Sequence, residues 1–259
     1  MRRVIVCVWS VAVVLAMPLV AFAQADEIQV YDGGLAPRGV FNLTLHNNIT
    51  PKGVTTPAFP GAVVADNSWN GVPEWAYGVT RWFEAGLYMP LYTHDKNMGW
   101  GLDGFKLRTL FAVPNADDRT FIYGANFEFS FNSKRWDTTR FTSEIRPIIG
   151  WHLKNVDLIV NPIVDTAYDG FKNLEFVPAT RVAVSVNSKW QIAAEEYADF
   201  GRVSDFLPAS QQSHQIYAVV DRAGRLEMEF GVGVGLTGAS DKLTFKLILA
   251  GDFNKPKIK

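Results

Sequence analysis

Between Phe121 and Phe131 the chain alternates with a period of two. Phe121, Tyr123, Ala125, Phe127, Phe129 and Phe131 share one parity, and Ile122, Gly124, Asn126, Glu128 and Ser130 share the other. Side chains of a β-strand leave it on opposite faces, so this segment has one aromatic face and one small or polar face. In a soluble sheet the apolar face covers a core and the polar face meets water. A strand this long and this aromatic also fits a barrel wall whose apolar face meets lipid and whose polar face lines a lumen. The rest of the chain decides between the two.

The N-terminus carries an export pattern. Arg2 and Arg3 precede an uncharged run from Val4 to Val20, and Ala21, Ala23 and Ala25 lead into acidic Asp26 and Glu27. A charged start, an apolar stretch and small residues before a polar exit make a secretory signal peptide, residues 1–25, ahead of a domain spanning 26–259. Cleavage falls after Ala23 or Ala25, with Ala25 favoured. At about seventeen residues the run is short for a retained membrane helix. Cys7 is the chain's single cysteine and would leave with the signal, so the exported chain builds no disulfide framework. Without Arg2 and Arg3 the acidic excess is about three, and no basic stripe points to nucleic acid. No later stretch is long and apolar enough for a spanning helix.

Alternation recurs along the whole chain. Phe41 to Leu45, Trp75 to Val79, Ala85 to Leu91, Phe105 to Val113, Phe121 to Phe131 and Phe141 to Trp151 each place apolar residues on one parity. So do Val156 to Val164, Val182 to Val186, Trp190 to Ala194, Ile216 to Val220, Leu226 to Leu236 and Leu243 to Leu249. About twelve strands, many near the length that crosses a bilayer at a tilt, imply an all-β, antiparallel up-and-down transmembrane barrel with both termini at the periplasmic end. Short connectors (114–118, 154–155, 187–189, 221–225) alternate with longer ones (47–72, 93–99, 132–138, 165–175, 199–212), as in outer-membrane barrels. The 238–241 connector is short where a long one is expected. Pro147 and Pro162 fall inside expected strands, where proline lacks a ladder donor, and imply bulges or shifted boundaries. Trp69, Trp75, Trp82, Trp100, Trp136, Trp151 and Trp190 fall near strand ends or loop bases, which suits an interfacial aromatic girdle.

The stretch from Leu35 to Asn48, Leu-Ala-Pro-Arg-Gly-Val-Phe-Asn-Leu-Thr-Leu-His-Asn-Asn, resembles the start of certain proteobacterial barrels. Trp75 to Tyr92 adds a Tyr-Gly-hydrophobic-Thr hairpin running into Glu-x-Gly-Leu-Tyr-hydrophobic-Pro. Together they resemble the outer-membrane, transporter-like family associated with the MetA pathway of phenol degradation. The resemblance covers about the first third of the exported chain and implies an outer-membrane barrel in a Gram-negative cell, with no functional residues carried over.

On the inward parity lie Lys106, Arg108, Asn126, Glu128, Glu144, Arg146, Asp157, Asn161, Arg181, Gln191, Glu195, Glu227 and Glu229. Mixed signs argue against a strongly ion-selective pore. Opposite charges such as Arg108 and Glu128 can bridge across the lumen or between neighbouring strands, and a bridged network can itself plug a modest barrel. Tyr88, Leu110, Ile148, Ile159, Ile163 and Ile248 share that parity, and a partly apolar interior suits a small hydrophobic or aromatic solute. The expected function is passive passage of such solutes, with membrane lipid and the solute as partners and no cofactor or metal. The alternatives are a barrel-embedded lipid hydrolase and a non-conducting structural or adhesive barrel. For a hydrolase the candidate pairs are His152 with Glu144 and His94 with Asp95, but no serine is identified as nucleophile.

Overall fold

The computed structural model describes residues 27–254. The expected signal segment and the C-terminal residues from 255 onward lie outside the described residues. Fourteen strand segments form one sheet that closes on itself. They are β1 (Phe41–Lys52), β2 (Ser68–Gly78), β3 (Phe83–Asp95), β4 (Gly99–Ala112), β5 (Phe121–Asn132), β6 (Phe141–Leu153), β7 (Val156–Asn161), β8 (Val164–Thr166), β9 (Glu175–Phe176), β10 (Ala179–Ser185), β11 (Trp190–Asp199), β12 (Ser213–Arg222), β13 (Glu227–Gly235) and β14 (Leu243–Asp252). β7 with β8, and β9 with β10, are each one wall strand interrupted at a proline, so the barrel has twelve antiparallel strands. β1 pairs with both β2 and β14, which closes the wall and leaves no edge.

The faces are inverted relative to a soluble barrel. On β5, Phe121 is 47% and Tyr123 56% exposed, whereas Asn126 is 0% and Glu128 1% exposed. Aromatic residues stack around the outside. Phe105, Phe131, Phe141 and Tyr168 form one row, with successive ring centroids 4.6, 5.2 and 5.2 Å apart. Near the opposite end Trp82, Phe83 and Phe111 stack, and Phe121 lies 5.6 Å from Trp151. An exterior this apolar and this continuous is the surface that lipid, rather than water, stabilises. Trp75 departs from the girdle pattern: it stands within β2, where its indole donates to the Met89 carbonyl at 3.4 Å.

The prolines have a common explanation. The β6–β7 and β6–β8 registers continue one another, placing Pro147 opposite Pro162, and the registers of β7–β10 and β8–β9 place Pro162 opposite Pro178. Three residues without N–H donors therefore lie side by side at one level, which confines the missing ladder bonds to a single row. Pro162 breaks its strand, and the Ile163 amide turns back to the Asn161 carbonyl at 3.0 Å. Pro147 instead sits within an unbroken β5–β6 register. The expected long connector at 93–99 is a three-residue turn, because Asp95 accepts hydrogen bonds from the Asn97 and Met98 amides and Gly99 takes the left-handed φ of 70°. Inside, Gly231 and Gly233 of β13 leave room for large buried neighbours. A Cβ on Gly233 would stand 2.3 Å from the Tyr217 ring, and one on Gly231 would stand 2.8 Å from the Lys246 side chain.

Phe127 stands at the middle of β5 on the outer face. Replacing it with arginine is expected to destabilise the bilayer-inserted barrel by about 2–4 kcal/mol. Denaturant unfolding of protein folded into phospholipid vesicles measures this. An unchanged midpoint would contradict a lipid-facing wall.

Candidate functional site

The interior holds two charge networks. In the first, Arg108 of β4 pairs with Glu74 of β2 at 2.8 Å and with Glu84 of β3, and Glu74 also meets His46 of β1 at 3.1 Å. Lys106 pairs with Glu128 at 3.1 Å, Asn126 donates to Glu128 at 3.0 Å, and Arg146 pairs with Glu144 at 2.6 Å. In the second, Arg181 of β10 binds Glu195 of β11 and Asp221 of β12, with Glu229 of β13 at 3.6 Å. Lys246 of β14 binds Glu195 and, at 2.5 Å, Glu229. The Lys246–Glu195 contact skips two intervening strands, so it runs across interior space rather than along the wall.

The segment before β1 enters this interior and touches both networks. The Ile28 carbonyl accepts from Lys246 at 3.1 Å, and the Gln29 carbonyl accepts from Arg146 at 3.0 Å. Asn161 clamps Tyr31 twice: the Tyr31 amide donates to Asn161 Oδ1 at 2.7 Å and Asn161 Nδ2 donates to the Tyr31 carbonyl at 2.9 Å. The Tyr31 ring lies 4.4 Å from the Arg146 guanidinium, and its hydroxyl meets Tyr88 and accepts from Arg108 at 3.2 Å. Apolar contacts complete the seat. Tyr31 packs with Leu110, Ile122 and Ile148; Val30 packs with Ile159, Ile163 and Ala179; Ile28 packs with Tyr217 and Val219.

Every inward candidate but one is buried or half-buried inside the barrel. Arg108, Asn126, Glu128, Arg146, Asn161, Arg181 and Glu195 are buried, and Lys106, Glu144 and Glu229 are half-buried; Glu227 is exposed at the start of β13. Arg108 and Glu128 are directly opposite in register, yet Arg108 forms its ion pairs with Glu74 and Glu84, while Lys106 takes Glu128. The apolar inward residues are present as expected, but Leu110, Ile148, Ile159 and Ile163 form the seat of the N-terminal segment. Residues 27–31 and Lys246 were not among the sequence candidates. Lys246 lies on the inward parity of its strand and was legible there. Residues 28–31 are too short a run to betray a non-local seat.

The proposed hydrolase pairs do not assemble. His152 Nδ1 lies 2.6 Å from Asp157 Oδ1, while Glu144 is eight residues away along β6, about 26 Å at strand spacing. His94 and Asp95 are consecutive strand residues on opposite faces, with His94 against Trp100 and Asp95 capping the following turn. Among the described residues no group of three or more His, Cys, Asp or Glu is placed to hold a metal.

Two outcomes follow. In a Val30→Cys reporter, Asn161→Ala removes two buried hydrogen bonds worth about 2 kcal/mol together, so thiol labelling from the lumen is expected to rise roughly 30-fold. Glu27 carries a second, proton-linked element. Burial first, and then Glu128, push its carboxyl up to about 7, with Glu74 adding to the rise and Arg146 and His46 opposing it. The ordinary value of 4.5 returns when the segment leaves. The seated state therefore binds more protons, and the part of its hold that Glu27 supplies is complete below the released-state value and lost as pH rises through about 7. Labelling, corrected for thiol reactivity in the unfolded chain, should increase from pH 6 to 8.5, and Glu27→Gln should flatten that increase.

In fold the chain is similar to solved barrels. It aligns with the COG4313 outer membrane channel from Pseudomonas putida F1 at a TM-score of 0.58 and 11% identity, covering 88% of this chain and 100% of that one. It aligns with the NanC porin at a TM-score of 0.53 and 9% identity, covering 82% of this chain and 99% of that one. No family model and no curated protein matches the sequence. At these identities the likeness establishes the fold: a closed, twelve-stranded antiparallel β-barrel of the kind found in outer-membrane channels and porins.

Proposed function

We propose that the protein is an outer-membrane channel for passive passage of small solutes, held closed here by its own N-terminal segment. One observation carries the reading. Ile28, Val30 and Tyr31 cover an interior apolar surface made by Leu110, Ile148, Ile159, Ile163 and Tyr217, and they belong to a segment that joins no strand ladder. When that segment withdraws, the lumen presents an apolar track beside two self-compensated charge networks. Such a surface favours a small hydrophobic or aromatic solute over a free ion. The sequence resemblance to the family associated with phenol degradation accords with an aromatic solute, and the similar solved structures are a channel and a porin by name. Export through a cleaved signal at residues 1–25 and residence in the outer membrane belong to the same reading. The geometry of His152 and His94 favours no hydrolase.

The test is solute release from liposomes alongside conductance in planar bilayers. Wild type should release a small aromatic solute slowly, and Asn161→Ala should speed release by an order of magnitude or more. If neither protein conducts or releases solute while both remain folded, the barrel is not a channel.

A further inference from the structure

Two adjoining features of the outer wall are unused by the lumen. The first is an apolar notch of about 270 Å³ across β1, β2 and β3, lined by Phe41, Trp75, Tyr77, Ala85 and Leu87. Its cause is a change of side-chain size along one register row. Phe41 pairs with Tyr77, Tyr77 with Ala85, and Ala85 with Thr109, so the row falls from two rings, 4.5 Å apart, to two small side chains. Larger residues bound the notch on both sides: Trp75 and Leu87 in one flanking row, Phe83 and Phe111 in the other.

The second feature is a concavity of about 370 Å³ lined by Arg38, Thr80, Arg81 and Trp82. It lies just past the strand ends that carry the notch. Each arginine is held by a hydrogen-bonded turn rather than on a loose loop. Arg38 precedes Gly39, whose amide donates to the Gly78 carbonyl at 2.7 Å, and the Val40 amide closes onto Pro37 at 2.9 Å. Around Arg81, the Val79 and Thr80 amides both donate to the Phe83 carbonyl, at 3.1 and 3.0 Å, and the Trp82 amide donates to Thr80 Oγ1 at 3.2 Å. Trp82 is stacked on Phe111 and half exposed, with an apolar body toward the wall. Among the described residues neither guanidinium is in an ion pair.

We propose that notch and concavity form one binding site for an anionic phospholipid of the periplasmic leaflet. The acyl chain would lie in the notch at Ala85, and the phosphate diester would sit between Arg38 and Arg81 beside Trp82. The 79–82 turn lies at the short-turn end of the barrel, which in outer-membrane barrels is the periplasmic end. Guanidinium groups match phosphate oxygens in paired geometry, and tryptophan suits the level where chain meets headgroup. The site depends on the barrel facing lipid and is independent of what the lumen passes.

Native mass spectrometry of the delipidated full-length barrel, titrated with phosphatidylglycerol, tests the site. Wild type should hold one lipid in preference to phosphatidylcholine. The double variant Arg38→Gln/Arg81→Gln should bind about 30-fold more weakly, at roughly fivefold for each charge removed. Ala85→Trp fills the notch without altering charge and should weaken phosphatidylglycerol binding while leaving glycerol 3-phosphate binding unchanged. Heat-modifiable gel mobility establishes that each variant is folded, and Ala85→Leu replaces Ala85→Trp if the larger side chain fails that check. Equal retention of phosphatidylglycerol by the wild type and the double variant overturns the proposal. So does unaltered binding by the notch-filled variant, or a glycerol 3-phosphate affinity equal to that of the whole lipid.

Discussion

Closure of the backbone ladder is the constraint on which the rest depends. In lipid an unpaired N–H or C=O costs several kcal/mol, so a strand-built wall must join its first strand to its last. Here β1 and β14 do so over most of their length, from Asn42 opposite Asp252 to Lys52 opposite Leu243. Once the ladder is closed, side chains have only two destinations. The aromatic and aliphatic parity goes out to lipid, and the polar parity is committed to an enclosed space. The three prolines obey the same constraint, since lining up Pro147, Pro162 and Pro178 keeps the loss of donors to one row.

The enclosed space has to neutralise what it receives. Buried charges persist only when paired, and Arg108, Arg181 and Lys246 each meet an opposite charge on another strand, while Arg146 meets Glu144 on its own. Those pairs also rigidify the seat of the N-terminal segment. Arg146 and Lys246 each satisfy a carboxylate and still reach a backbone carbonyl of the segment. The N-terminal segment is therefore held by groups that the wall already needs, while Asn161 supplies a clamp specific to it.

The wall was legible in the sequence because period-two alternation is a local signal and every strand repeats it. Asn126 and Glu128 fell where parity put them. Legibility failed where parity is reset. At β3 the register shifts between Tyr88 and Leu91, next to Pro90, so alternation read from Ala85 stops early and the 93–99 turn passes for a loop. Partner choice inside the barrel was not readable either. Arg108 faces Glu128 by register but finds Glu74 and Glu84, because interior geometry rather than neighbouring register selects ion pairs. The N-terminal segment was least legible: its contacts lie from 57 to more than 200 residues away in sequence, as with Tyr31 and Tyr88 or Lys246 and Ile28.

The most direct test of a lumen closed by its own chain is a reversible covalent lock. Val30 and Ala179 belong to one buried apolar cluster inside the barrel, and no described residue is a cysteine, so a Val30→Cys/Ala179→Cys pair, its bridge verified by mass spectrometry, is the lock to make. If the account holds, the oxidised variant passes neither ions nor a small aromatic solute, and reduction restores passage to the level of the unlocked protein. Equal passage by the oxidised and reduced forms would show that solutes do not travel where the segment sits.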